Sequence, residues 1–193
     1  MKTKYVAAVV VIILAAGIGS FAYYNETQNT GTMTLSVADA GISGATAVYI
    51  TFSSFSLHKA PGNGSSSNAS NSSNGGWTNY SVSTKTINIL NLNISNASLL
   101  GKISLTAGTY TMFRLYITKV TVDFTSLGNV TFTLMSPFAF VSKAITISAH
   151  STTNVVFDFN LTQDLNITSK VFTPLIVILS VSVLAFKNLE YRK

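Results

Sequence analysis

GTMTLSVADA, residues 31–40, is the stretch whose reading decides the fold. Met33, Leu35 and Val37 fall on one parity, and Thr32, Thr34 and Ser36 on the other. Side chains along a strand alternate between faces, so this period of two marks a half-buried β-strand. The residues before it, 25–30, form a polar leash with no core-forming side chain. A first strand on such a leash has two homes. It completes its own sandwich, or it leaves and completes a neighbour's, which gives a head-to-tail polymer. In the second case Thr32, Met33, Thr34, Leu35, Ser36, Val37 and Ala38 are the donor strand.

The composition agrees with a β-rich chain. Of the 193 residues, 47% are apolar and only 9% are charged, while Thr, Ser, Asn, Val and Ile are abundant. There is no cysteine, so neither a disulfide frame nor a thiolate metal site is available. The net charge is +6, with twelve basic residues; setting aside Lys2 and Lys4 leaves ten, scattered without a stripe that would suit nucleic acid. The acidic residues are six: Glu26, Asp39, Asp123, Asp158, Asp164 and Glu190. A chain with so few carboxylates has little to lose in acid, and an acidic exterior is the expectation that follows.

Outward from the first strand, the chain begins with Lys2 and Lys4 and then the apolar run YVAAVVVIILAAGIG. Ser20 and Ala22 stand three and one residues before a cut at Tyr23, the layout of a secretory signal peptide over residues 1–22. The alternative is a retained anchor helix, because residues 5–24 are long enough to span a bilayer. Residues 23–30 are then a flexible linker and 31–193 the domain, outside the membrane in either case. The membrane is met only through the N-terminal segment.

Downstream, the parity of apolar residues predicts a strand over 46–58 with a register change at Ser53–Ser54, which signals a bulge. Residues 109–124 predict the central strand, with a second change near Thr118–Lys119. Residues 77–90 read as a short strand pair, 91–100 as one helical turn, and 136–142, with Pro137, as a crossing loop. Short strands follow over 144–149 and 153–161. Residues 175–179 are apolar on both parities, so both faces of the last strand are expected to be covered. Many short strands between Gly-rich turns give an all-β chain: an immunoglobulin-like or pilin-like β-sandwich after an N-terminal signal or anchor helix.

The low-complexity stretch 59–76, KAPGNGSSSNASNSSNGG, has no apolar anchor. It carries sequons at Asn63, Asn68 and Asn71, and others stand at Asn25, Asn79, Asn93, Asn96, Asn129, Asn160 and Asn166. Ten in an exported chain point to a heavily N-glycosylated surface and to an archaeal or eukaryotic source.

Several stretches together carry a resemblance. They are residues 31–40, 47–50 with His58-Lys59, Trp77, 99–101, LTAGTYT at 105–111, RLY at 114–116, FDF at 157–159 and Thr173-Pro174. The chain resembles a family of exported archaeal and bacterial domains of unknown function, with AGTYT and RLY the most specific part. The resemblance implies a secreted β-sandwich and no activity. In length, export signal and sequon density the chain is also similar in layout to the subunits of archaeal surface filaments called threads. That likeness implies that each subunit's first strand completes the next subunit's sandwich.

Catalysis needs a positioned acid, base or nucleophile. His58 and His150 lie at strand ends far apart in sequence, and no metal-ligand spacing, GxSxG or phosphate loop is present. Asp39 before Ala40-Gly41 suits a turn-forming role. No enzyme, cofactor or metal is expected. The expected function is structural: a subunit of an extracellular, N-glycosylated filament on the cell surface whose partner is itself. The alternative is a monomeric, secreted or anchored binding module for a glycan or envelope partner, with Trp77 and Tyr80 its only candidate aromatic pair. Core packing of that pair is the more economical reading.

Overall fold

The computed structural model describes residues 29–39, 41–61 and 76–185. The N-terminal segment, most of the leash and the sequons at Asn25, Asn63, Asn68 and Asn71 lie outside the described residues.

Among the described residues eleven strands, the longer of which follow the alternation of the sequence, form two layers. They are β1 (Thr30–Asp39), β2 (Ala45–Lys59), β3 (Gly76–Asn88), β4 (Ser98–Thr106), β5 (Gly108–Phe124), β6 (Gly128–Leu134), β7 (Phe138–Ile147), β8 (Ser151–Phe159), β9 (Leu165–Asn166), β10 (Val171–Phe172) and β11 (Ile176–Ala185). One helical turn, Leu161–Asp164, interrupts them. The first layer has the order β11-β8-β1-β4. The second runs β3-β2-β5-β6-β10-β9, with β7 pairing β5 beside β6. β5 is long enough to hold two neighbours on one edge, β7 along Gly108–Tyr116 and β6 along Val120–Phe124. The chain is therefore an all-β sandwich.

Apolar side chains of the two inner faces meet between the layers. Phe52 packs on Phe159 at 6.1 Å between ring centroids and Phe113 on Phe157 at 5.9 Å. Met33, Leu35, Val37, Ile50, Val120 and Val155 are wholly buried around them. Both bulges expected from parity changes are present. The β2–β3 register shifts between Phe52 and Ser54, and the β2–β5 register shifts where Lys119 and Ile117 meet Thr51 and Phe52.

Four details differ from the expectation. In place of the expected strand pair over 77–90 there is a single strand, Gly76–Asn88: both halves pair with β2, and residues 82–84 are the excess that the register shift absorbs. Residues 91–97 make turns rather than a helical turn, with Asn91 in the left-handed region at φ 61°. The crossing loop ends at Pro137, and Phe138 already begins β7. The last strand is not covered on both faces. Ile176 and Ile178 are buried, but Leu175, Val177 and Leu179 are exposed, because β11 is an edge strand whose outer face meets no other layer.

The elements leave the sandwich at two poles. At the near pole, Thr30 accepts from His150 N (2.9 Å), Ala60 N donates to Thr109 O (2.8 Å), and Ala185 pairs Ser151. At the far pole, Asp39 N donates to Leu92 O (2.9 Å), and Thr125 N donates to Gly44 O (3.1 Å). Residues 40–44 join β1 to β2 there, with Gly41 and Gly44 at φ 90° and 80°.

Gly31 sits where β1 slides under the β7–β8 turn. A Cβ there would stand 2.2 Å from the Ser148 carbonyl oxygen and 2.8 Å from Ile147 Cγ2, so the backbone must give way. Gly31→Ala is expected to cost roughly 1–3 kcal/mol as overpacking does. The check is a lower denaturation midpoint at unchanged denaturant slope.

Candidate functional site

The site built by this fold is the slot that holds β1. Its floor is the apolar inner face of the second layer, and its walls are the free edges that β4 and β8 would present without β1. The sequence fills the slot by simple alternation. Met33, Leu35 and Val37 point into the core with no exposed surface, while Thr30, Thr32, Thr34 and Ser36 are half-buried on the outer face. Burial of each of the three large side chains contributes roughly 1.5–3 kcal/mol.

Main-chain pairing runs the length of the strand on both sides. β1 is antiparallel to β4, from Thr30 opposite Thr106 to Val37 opposite Ser98. It is parallel to β8, from Thr32 opposite Thr152 to Asp39 opposite Phe159. On the outer face the Thr34 hydroxyl donates to Asn154 Oδ1, and Asn154 Nδ2 donates to Ser182 Oγ at 3.3 Å. This polar row ties β1, β8 and β11 together. All seven residues expected to form a donor strand, Thr32 through Ala38, thus lie in one slot of their own chain.

The far end of the slot is closed by carboxylates. Asp39 is buried; its Oδ2 accepts from Gly41 N at 2.7 Å, the turn role expected of it, and its Oδ1 accepts from Leu161 N at 3.4 Å. Asp164 lies behind it, also buried. Its Oδ1 accepts from Leu175 N at 3.1 Å, while Oδ2 has no hydrogen-bond partner. Burial pushes the Asp164 carboxyl up from 3.8 to about 7, helped by the negative charge of Asp39 and opposed by the bond from Leu175. Asp158, on β8, is also raised by burial.

Other singled-out residues stand elsewhere. Trp77 and Tyr80 point to opposite faces of β3 and form no pair. Tyr80 stacks on Phe55 at 5.4 Å, against the core. Trp77 is not a core residue: it stands on the outer face of the second layer, 36% exposed. There the Arg114 guanidinium lies 3.8 Å over its ring, with His58 at 5.4 Å and Phe140 at 6.5 Å. A period-two reading places residue 77 on the face opposite 80, so the separation was available in the sequence. What hid it was the distance to Arg114 and Phe140, which only the sheet brings near.

Of the sequon asparagines, Asn79, Asn93, Asn96, Asn129, Asn160 and Asn166 are described, and all six are exposed. His58 Nδ1 lies 3.2 Å from Thr111 Oγ1, and His150 sits in the β7–β8 turn at φ 54°. A cleft of about 390 Å³ opens where β11 starts, between Phe140, Leu175 and Val177, with Asp158, Asn160 and Gln163 on its polar side. Among the described residues no three His, Asp or Glu side chains are grouped to hold a metal ion.

The sign of the pH dependence follows from the raised Asp164. From about pH 4 to about 7 the folded chain holds a proton that the unfolded chain has released, so stability falls across that window as pH rises. Asp164→Asn keeps the acceptor for Leu175 and removes the ionisation. The variant is expected to lose this decline and to exceed the parent above neutral pH. Denaturation midpoints across the window measure it, and a variant with the parent's slope would assign the slope to another group.

Residues 30–173 match the model of a protein family described as a domain of unknown function, DUF4382. No curated protein and no solved structure matches the chain. The matched span begins at the first residue of β1 and ends just after β10, so it contains the slot, both walls and the strand that fills it. The chain belongs to the DUF4382 family of domains of unknown function.

Proposed function

We propose that the protein is a structural subunit of an extracellular, N-glycosylated surface filament, assembled by donation of the first strand to a neighbouring copy. The observation that carries this reading is the place of β1. It is an interior strand of its sheet, yet the first strand of the domain. An interior strand elsewhere in the chain is tied at both ends. Among the described residues β1 is joined to the remaining strands only at its far end, through the link after Asp39, so it can be exchanged between copies without threading one chain through another. Its bonding to β4 and β8 is main-chain pairing plus apolar insertion, and any identical copy offers the same slot. A chain whose strand has left exposes core and two sheet edges, so the slot does not stay empty and is refilled by its own strand or by a neighbour's.

Two further features support the reading. Along the edge strand β11, Leu175 and Val177 are exposed on the outer face at its start, and Val181 and Val183 are exposed further along on the face shared with Val155 and Thr153, which leaves apolar surface at this edge. A neighbouring copy would cover it. The exposed sequon asparagines are all accessible to modification, and sugars on them would keep filaments apart.

The monomeric binding module keeps one argument in its favour, the exposed Trp77 on the outer face. Locking the strand separates the two readings. Thr32 and Thr152 are direct partners, both half-buried on the outer face, in a chain with no other cysteine. The Thr32→Cys/Thr152→Cys protein, oxidised as a monomer, is expected to fold and to form no filaments by electron microscopy. Reduction is expected to restore assembly. Filaments from the oxidised protein would overturn strand exchange, and an absence of polymer under all conditions, including for the parent, would favour the module.

A further inference from the structure

We propose that Asn79 carries an N-linked glycan whose first sugars lie across the outer face of the second layer and pack on the indole of Trp77. This rests on the reading of the chain as exported and N-glycosylated, and goes beyond it by assigning one site and what that sugar touches.

Four observations converge on it. First, Trp77, Asn79 and Ser81 share a parity on β3 and therefore a face; Trp77 pairs His58, Asn79 pairs Ser56, and Ser81 pairs Ser54. Two residues along a strand are about 6.5 Å apart. That is a reach for the linkage and one sugar ring lying back along the strand. Second, the amide of Asn79 is already oriented. The Ser56 hydroxyl, itself buried, donates to Asn79 Oδ1, and Nδ2 is the atom to which a sugar is joined. Asn79 itself is exposed.

Third, Trp77 is 36% exposed yet has ring and cation neighbours that hold it in place. The Arg114 guanidinium carbon lies 3.8 Å from its ring centroid, His58 meets it edge-on at 5.4 Å, and the Phe140 ring stands tilted at 6.5 Å. A fixed indole offers a π face to the C–H face of a pyranose at little cost in side-chain freedom. Fourth, Arg114 Nε is buried and finds no hydrogen-bond acceptor in the protein. Its guanidinium spans Trp77 and Phe138, at 3.8 and 4.9 Å. Sugar hydroxyls above this patch offer acceptors to the outer edge of the guanidinium. The chemistry of the patch, one apolar face beside a cation with donors to spare, matches a sugar better than it matches a protein surface.

The other described sequons lack this neighbourhood. Asn129 Nδ2 donates to Asp123 Oδ1 at 2.6 Å, and Asn93 and Asn166 cap turns through their carbonyl oxygens. Sugars at those turns extend into solvent.

Because the chain has a single tryptophan, its fluorescence reports on Trp77 alone. The experiment compares glycoprotein from its native cells with Ser81→Ala, which removes the sequon but keeps Asn79, and with Ser81→Thr, which retains a sequon. Site-resolved mass spectrometry is expected to find Asn79 occupied in the parent and in Ser81→Thr. Ser81→Ala is expected to shift Trp emission to the red, to raise its quenching by acrylamide, and to lower the melting midpoint by about 2–4 °C, the shift of a loss near 1 kcal/mol in a domain of this size. In a Trp77→Ala background Ser81→Ala is expected to leave the midpoint unchanged. A bare Asn79 beside occupied Asn93 or Asn129 overturns the assignment and leaves the glycoprotein reading intact. An occupied Asn79 with unchanged emission and midpoint overturns the packing. Sugars at none of the sequons overturn both.

Discussion

The structure depends on the burial of one strand between two others. With β1 in place, β4 and β8 are neighbours of an interior strand, and Met33, Leu35 and Val37 complete the layer that faces Phe52, Phe113 and Phe157. Without it the four-stranded sheet falls into a lone β4 and an antiparallel β8–β11 pair. No disulfide substitutes for it, since the chain has no cysteine. Loss of so long a paired strand cannot be repaired by local relaxation, so the slot is always filled by something. The functional question is whose strand fills it.

Most of the first strand's role was legible in ten residues, because alternation is a short-range signal with a fixed period. The bulges were legible for the same reason: Phe52 and Phe55 cannot both point inward unless the strand gains a residue between them, and the same holds for Ile117 and Val120. The misreadings arose where alternation carries no information. Phe138, Ala139, Phe140 and Val141 are apolar on both parities, so the beginning of β7 after Pro137 had no pattern to show it. The outward pair Phe138 and Phe140 owes its place to Arg114 and Tyr116 on β5, partners more than twenty residues away. Residues 175–179 carry the same ambiguity. A two-sided apolar strand implies a covered face only where a further layer of the chain lies over it, and among the described residues none lies over the outer face of β11.

The candidate site was legible in part. Asp39 as a turn former follows from its place before Gly41. Its burial beside Asp164 does not, because the two meet only when the segment after β8 folds back over the far pole. A buried carboxylate that prefers its proton contributes its stability fully at low pH and loses it as pH rises toward neutral. Trp77 belongs to the same class of long-range arrangement, a residue whose surroundings are assembled from three strands.

The link between β1 and β2 is short, and both strands meet it at the far pole, where Gly41 and Gly44 turn the chain at φ 90° and 80°. A chain drawn fully straight advances about 3.5 Å per residue. In the proposed exchange the pairing of β1 with β4 and β8 is kept, so the stretch between Asp39 and Ala45 would open out of its turn to span two molecules. The distance between neighbouring subunits would then be set by the reach of these few residues and not by the sandwich itself.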